Sequence, residues 1–428
     1  MEDKKIFGFQ NRILRVNLTN HTSTVEEPGE AFYRRYIGGR GIIAHYLYKE
    51  IPVGADPLGP DNKVIFAAGP LTGAGFIGGG RSSVGAKSPL TGAYGDGEAG
   101  GFFGAEMRRA GYDAIIIEGQ SQTPVYLAIK DDVVEIRDAS HLWGKLSADV
   151  EAAIKTEMDD KFTRVAQIGV AGENLVKVSN IINDLTHFYG RCGLGAVMGS
   201  KKLRAVGIRG KRPPQLADRD TILELNKKMA ADIPTKRARQ TEFGTTGIVL
   251  SNNAAGGLPT RNFREGSFED AYQISGEHMN ETYLVDREGC YMCSINCKRV
   301  VKVDDRYKVD PAYGGPEYET LGALGSCCGV SDLQAVCKGN ELCNSLGLDT
   351  ISTGVTISFA MECFENGLIT TKDTDGLELR FGNGAAMVAM IEKIAKREGF
   401  GKILAEGNRS AALAIGGNAL DYAMEVKG

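Results

Sequence analysis

Three cysteines within eight residues, Cys290-Tyr-Met-Cys293-Ser-Ile-Asn-Cys297, constrain this chain more than any other feature. Thiols spaced Cys-x2-Cys-x3-Cys on a turn can hold three corners of an iron–sulfur cubane, with a fourth ligand from elsewhere. Zinc held by three Cys and a distant His or Cys, or a merely structural or redox thiol set, are the competing readings. The nine cysteines are absent from the first 191 residues and crowd between Cys192 and Cys363, which suits a local metal site better than a disulfide framework. Cys327, Cys328, Cys337, Cys343 and Cys363 are the further thiols that could complete such a site. Burial as a small hydrophobe is the bland alternative for each.

Glycine is the second constraint: 56 of 428 residues, about 13% against an average near 7%. Without a Gly-X-Y period these glycines belong to loops, where a missing side chain lets backbone approach another backbone or a ligand. Four segments concentrate them: Gly38-Gly39-Arg40-Gly41, Gly78-Gly79-Gly80-Arg81, Gly100-Gly101-Phe102-Phe103-Gly104 and Gly190-Arg191-Cys192-Gly193-Leu194-Gly195. Exposed backbone amides beside an arginine suit phosphate oxygens, and a tight turn is the alternative for any single loop. A dinucleotide fingerprint at Gly193-Leu-Gly195 fails on context: the spacing to Gly199 is wrong, and it is expected to follow an arginine loop instead of a strand.

The first half reads as β-rich. Val64 to Ala68, Ala114 to Ile117, Val125 to Ile129, Val133 to Ile136 and Arg204 to Ile208 are strand-sized apolar runs bounded by turn residues. One amphipathic helix starting at Ser147, with Val150 and Ile154 on one face, is expected to interrupt them. After the basic, proline-bearing link Lys211 to Pro214 the pattern turns helical, with Ile222, Leu225 and Met229 at helical spacing. Met387, Met390, Ile391 and Ile394 repeat that spacing, with Gly399 as the C-cap. The expected fold is α+β: a β-rich domain over residues 1–210, then a mostly helical region over 211–428. No internal repeat is visible at solenoid periods.

A net charge of -4, with 24% charged residues, gives no electrostatic bias toward nucleic acid. The polar stretch Met1 to Gln10 lacks the apolar core of a secretory signal, and no run approaches the roughly 20 apolar residues of a membrane helix. The expected location is cytoplasmic. Five scattered histidines leave no pair at ligand spacing. Gly314-Gly-Pro-Glu317-Tyr-Glu319 is a turn expected to open a helix through Leu321 and Leu324. A carboxylate there serves the helix dipole or a proton transfer, and spacing alone does not separate Glu317 from Glu319.

Together these residues resemble the aldehyde ferredoxin oxidoreductase family over nearly the whole chain. The resemblance is carried by Ala68-Gly-Pro-Leu-Thr-Gly73, Lys87-Ser-Pro-Leu-Thr-Gly92, Gly100-Gly-Phe-Phe-Gly-Ala-Glu106, Gly195-Ala-Val-Met-Gly-Ser200, the cysteine motif, Gly315-Pro-Glu-Tyr-Glu319 and Leu346-Gly-Leu-Asp-Thr-Ile-Ser352. It implies a tungsten or molybdenum centre bound by two pterins (tungstopterin or molybdopterin) beside a [4Fe-4S] cluster. The implied reaction oxidises aldehydes to carboxylic acids and passes electrons to ferredoxin or an iron–sulfur electron-transfer subunit, within a homo- or hetero-oligomer. The alternatives are a reductase of aromatic acyl-CoA thioesters and a non-catalytic electron-transfer subunit or fragment.

Carried over by position, the resemblance implies Cys290, Cys293 and Cys297 as cluster ligands and Glu319 as the proton-transfer group. Arg81, Glu98, Gly100, His187, Phe188, Gly190, Arg191, Asn344, Leu348 and Asp349 are implied around the pterins. Glu98 replaces an Asn, His187 an Arg and Asn344 an Asp of the family pattern. Lys338-Gly-Asn-Glu341 replaces a Glu-x-x-His pair, so no bridging iron is expected. The chain stops at Val426-Lys427-Gly428, where the family pattern continues into a segment bearing a second pterin motif, a fourth cysteine and an active-site histidine. That implies a fragment of a longer product or one chain of a divided protein.

Overall fold

The computed structural model describes residues 6–428, so the first five residues of the polar amino-terminal stretch lie outside the described part. The chain divides into two compact units. One comprises residues 1–175, 179–234 and 290–294, the other 176–178, 235–289 and 295–428. The boundary thus falls inside the cysteine motif, after Ser294.

Among the described residues, the first unit holds twelve strands in two six-stranded sheets. The first sheet contains β1 (Ile13–Asn17), β2 (Thr22–Glu26), β3 (Val64–Ala68), β4 (Ser82–Lys87), β5 (Tyr94–Ala99) and β6 (Ala114–Glu118). The second contains β7 (Val125–Lys130), β8 (Val133–Asp138), β9 (Arg164–Gln167), β10 (Ile181–Asn183), β11 (His187–Tyr189) and β12 (Leu203–Arg209). Their orders are β2-β1-β6-β3-β4-β5 and, read from the other end, β8-β7-β12-β9-β10-β11. The two share one topology. In each, the first strand pairs parallel with the last, and every other pairing is antiparallel. The β half is therefore an internal duplication in topology, one that leaves no visible repeat in the sequence.

Side-chain alternation along the strands explains the layers. Leu14, Phe66, Ile115 and Ile117 of the first sheet share a core with Leu127, Ile129, Val206 and Ile208 of the second, along with Phe103, Met107, Val197 and Met198. Intervening residues face outward: Ile13, Ile65 and Ile116 against Ile42, Ile43 and Tyr46, and Tyr126, Val165 and Ala205 against Val150 and Ile154. Burial on both faces is why these strands read as unbroken apolar runs. The helix expected at Ser147 is Ser147–Glu157, but Arg40–Glu50, Phe103–Arg109 and Leu194–Ser200 are helical too. Their Gly, Ala and polar residues hide any amphipathic stripe.

Helices dominate the second unit, with small two-stranded pairings such as Leu284–Glu288 against Lys298–Val301. Leu333–Leu346 and Gly384–Lys396 pack together where Gly339 leaves room for Ile391. The helix Arg219–Lys236, which belongs to the first unit as far as Pro234 and was predicted from its apolar spacing, forms, yet Leu225 and Met229 remain 42% and 37% exposed. Gly399 is not the cap of Gly384–Lys396: Arg397, at φ 53°, takes the left-handed position. Gly399 instead leaves space for the Asp375 carboxylate, which accepts from the Phe400 amide at 3.0 Å. Among the described residues no helix is long and apolar enough to cross a membrane.

Candidate functional site

In the first unit the cysteine loop lies on two glycine loops. Tyr291 N–H donates to Gly101 O at 3.1 Å, Gly78 N–H to Met292 O at 3.3 Å and the Tyr291 hydroxyl to Gly73 O at 3.4 Å. A Cβ on Gly80 would stand 2.7 Å from Gly101 O and 3.2 Å from Tyr291 Cβ. Two of the loops expected to cradle phosphate thus receive backbone. Cys293 N–H closes a turn onto Cys290 O at 3.0 Å, with Met292 left-handed at φ 52°.

Cys290 Sγ sits 3.3 Å from His187 Nε2, and His187 Nδ1 is 3.2 Å from Thr186 Oγ1. Thr186, Asn183 and Asp184 are neighbours of this loop that sequence reasoning missed. Asn183 Nδ2 donates to Gly100 O at 2.7 Å, and Asp184 accepts from the Phe102 amide at 2.7 Å. Burial pushes the Asp184 carboxyl up to about 6, against the opposing pull of Arg164. No local pattern could have found residues 82 and 83 positions away from the loop they hold.

A second feature of this unit is a cavity of about 370 Å³, lined among others by Gly38, Gly39, Arg40, Gly79, Arg81 and Glu98. Arg81 meets Glu98 through Nη1 at 3.3 Å, and its side chain is 66% exposed. A guanidinium has four further N–H groups for an incoming anion. Arg40 pairs with Asp96 on the same rim. Phe188 and Gly190 follow on β11 and the loop after it, where Gly190 N would lie 3.2 Å from a Cβ added to Gly97, and Arg191 is exposed. The Gly193 region does follow a strand and open a helix, contrary to expectation, but that strand is an antiparallel hairpin arm and not the parallel strand of a dinucleotide fold.

In the second unit, Cys297 precedes Lys298, whose Nζ pairs with Glu317 Oε1 at 3.0 Å. Glu317 also accepts from the Thr245 hydroxyl. Glu319 is exposed, at the start of a short helical turn that widens into a π-helical stretch over Leu321–Gly325, where a longer regular helix was expected. Such π turns recur at functional sites. The neighbouring Thr320 hydroxyl bonds Thr350 at 2.9 Å, at the start of the helix Thr350–Glu365. Asp349 caps that helix, accepting from Ser352 N at 2.9 Å and Ile351 N at 3.3 Å. Leu348 is buried, and Asn344 Nδ2 donates to Tyr313 O at 2.8 Å. Fold contacts therefore place Glu319 close to the Asp349 motif within this unit.

The thiols divide by environment. Cys290, Cys293 and Cys297 are half-buried, whereas Cys327, Cys328, Cys337, Cys343 and Cys363 are buried. Burial raises the latter's pKa values, Cys337 and Cys363 to about 12, which holds them as protonated thiols. Among the described residues no three His, Cys, Asp or Glu groups are gathered for a single metal ion. A cubane takes one thiolate at each separate corner, so its ligands need not converge on a point. Within the first unit, the half-buried Cys290 and Cys293 on one tight turn fit two corners of such a cluster, and the arginine-rimmed cavity fits an anionic phosphate.

The family described as "Aldehyde ferredoxin oxidoreductase, N-terminal domain" matches residues 13–210, and "Aldehyde ferredoxin oxidoreductase, domains 2 & 3" matches residues 221–428. The chain is 45% identical over 430 residues to a protein of Thermococcus kodakarensis named tungsten-containing aldehyde ferredoxin oxidoreductase, covering 99% of this chain and 69% of that one. It is 31% identical to an "aliphatic sulfonate oxidoreductase, WOR-like subunit" of Pyrococcus furiosus, covering 99% and 70%. Among solved structures it is similar to the active-site complex BamBC of benzoyl coenzyme A reductase in complex with 1,5-dienoyl-CoA. There the TM-score is 0.84 and the identity 28%, with 97% of this chain and 64% of that chain covered. With both halves matched in order, and with the cysteine loop seated on the glycine loops, the chain belongs to the aldehyde ferredoxin oxidoreductase family.

Proposed function

We propose that this protein oxidises aldehydes to carboxylic acids. An aldehyde and water yield the acid, two protons and two electrons, and ferredoxin or an iron–sulfur subunit accepts the electrons. The observation that carries this reading is the set of three half-buried thiols on left-handed turns, in a chain 45% identical to a named aldehyde oxidoreductase. When bound, a tungstopterin supplies the two-electron oxidation and a [4Fe-4S] cluster carries the electrons away singly.

The chain's own residues hold and orient these groups. Residues 1–210 form the pterin-binding part and 211–428 the iron–sulfur and active-site part, a division supported by the two matched family segments. Cys290, Cys293 and Cys297 ligate the cluster. Arg81, Gly100, Gly190 and Arg191 line the pterin phosphates, while Glu98, His187, Phe188, Asn344, Leu348 and Asp349 contact the pterins. Glu319 takes up a proton at its carboxylate, a role supported by its exposure and by the irregular helix beside it. Nine free cysteines suit a reducing, cytoplasmic compartment.

The test is elemental analysis of anaerobically purified native protein for W, Mo, Fe and Zn, with aldehyde-dependent reduction of a low-potential dye. Tungsten or molybdenum with about four Fe per chain, and dye reduction, is the expected result. Iron or zinc without either heavy metal, and no dye reduction, overturns the catalytic reading.

A further inference from the structure

His187 is held against the cysteine loop by a turn that local sequence does not favour. Asp184 and Leu185 are both left-handed, at φ 49° and 55°. For residues with a Cβ that conformation costs energy and persists where the surroundings over-determine it. Here they do. Asn183 Nδ2 holds Gly100 O at 2.7 Å, Asp184 Oδ2 holds the Phe102 amide at 2.7 Å, and Gly101 O in turn takes the Tyr291 amide at 3.1 Å. Turn, glycine loop and cysteine loop form one hydrogen-bonded unit, and His187 Nε2 emerges from it 3.3 Å from Cys290 Sγ.

The second ring nitrogen decides what that contact can do. Thr186 Oγ1 lies 3.2 Å from His187 Nδ1 and 3.3 Å from Asp184 O, so its single proton can go to either. A ligating thiolate only accepts. Facing it, the ring can only donate, from Nε2, and the Thr186 hydroxyl stands in hydrogen-bond reach of Nδ1 on the other side.

We infer that His187 is a positioning residue for the cluster: it donates Nε2–H to the Cys290 thiolate and, with Thr186 fixing its tautomer, raises the cluster's reduction potential. Reduction adds one electron to the cluster and makes its sulfurs more negative. A donor aimed at sulfur therefore stabilises the reduced form more than the oxidised one. The inference deepens the functional reading and rests on its cluster assignment.

The experiment is an EPR-monitored redox titration of the anaerobic holoprotein, its iron and sulfide counted first. The proteins compared are the parent, His187→Phe, His187→Gln and Thr186→Val. His187→Phe is expected to shift the midpoint downward by at least a tenfold change in the reduced-to-oxidised ratio at fixed potential, ~59 mV for one electron. Gln, which keeps a donor, restores part of the shift, and Thr186→Val moves the midpoint the same way by less. Equal midpoints in all four proteins overturn the inference while leaving the cluster reading intact. If His187→Phe loses its iron, Thr186→Val decides, and an unmoved midpoint there overturns the inference. A parent without cluster iron overturns the cluster reading, and this inference with it.

Discussion

A Cβ added to Gly100 would lie 2.6 Å from the Sγ of Cys290. The atom met is the end of the Cys290 side chain itself, so either the thiol swings away from the place it holds or the glycine loop gives way. The loop Gly100-Gly101 also carries the carbonyls that bind Asn183 and Tyr291, so it cannot retreat without breaking those bonds.

Gly100→Ala is therefore expected to expel Cys290 from its place. Iron and sulfide per chain should fall by more than half, while far-UV circular dichroism stays that of the parent. Gly54 is the control: nothing lies within 4 Å of its added Cβ, and its φ of 79° costs about 1 kcal/mol for Ala. Gly54→Ala should lower Tm slightly and keep its iron. Full iron content in Gly100→Ala would mean that the loop yields more readily than its hydrogen bonds indicate.

Asp184 gives a pH dependence whose sign follows from burial. Its folded-state pKa, about 6, lies above the unfolded value of 3.8. Well below pH 3.8 both states hold the proton and nothing is lost. As pH rises from about 4 to 6 the unfolded state releases its proton first, so stability falls through that window and stays lower above it. The loss is on the order of 3 kcal/mol. Asp184→Asn can still accept from the Phe102 amide, and its urea midpoint should vary less between pH 4 and 6 than the parent's. An identical pH profile in both proteins would contradict a raised Asp184.

Glu317 and Glu319, two residues apart, are separated by what they touch. Glu317 is held by Lys298 and Thr245, whereas Glu319 is exposed. Glu317→Gln is expected to lower Tm by weakening that pair, with aldehyde turnover reduced only in proportion to folded protein. Glu319→Gln should leave Tm unchanged and cut kcat by about 100-fold or more. Steady-state kinetics beside thermal melts distinguish them, and full turnover in Glu319→Gln would remove its assigned role.

The legibility of this fold followed burial. Val64–Ala68 and residues 114–117 lie between two apolar layers, so their sequences are unbroken apolar runs. Their neighbours Ser82–Lys87 and Tyr94–Ala99 spell SSVGAK and YGDGEA. Small residues are needed there because Gly97 passes close to the Tyr189 and Gly190 backbone, and such a strand has no apolar signature. The duplication stayed hidden for a related reason: the repeated halves share strand order and pairing sense, while four of their five connections differ in length. Within the site, the cysteine motif was visible because its spacing is local. The Cys290–His187 contact spans 103 residues and exists only once the two sheets have placed β11 beside the glycine loop.

Asp349 carries the last prediction, because the proposed function gives it to a pterin while the structure gives its carboxylate a structural task. It caps the helix Thr350–Glu365 through Ile351 N and Ser352 N. Asp349→Ala removes the cap and should cost about 1 kcal/mol, read as a drop in Tm. Asp349→Asn keeps an acceptor in the same place and removes only the charge, so its Tm should stay near the parent's. If the carboxylate also holds a pterin, Asp349→Asn should purify folded but with markedly less tungsten or molybdenum per chain. Parent-level metal in Asp349→Asn, with metal lost in Asp349→Ala only in step with stability, would confine Asp349 to capping and leave Asn344 and Leu348 to account for the motif's place beside the cofactor.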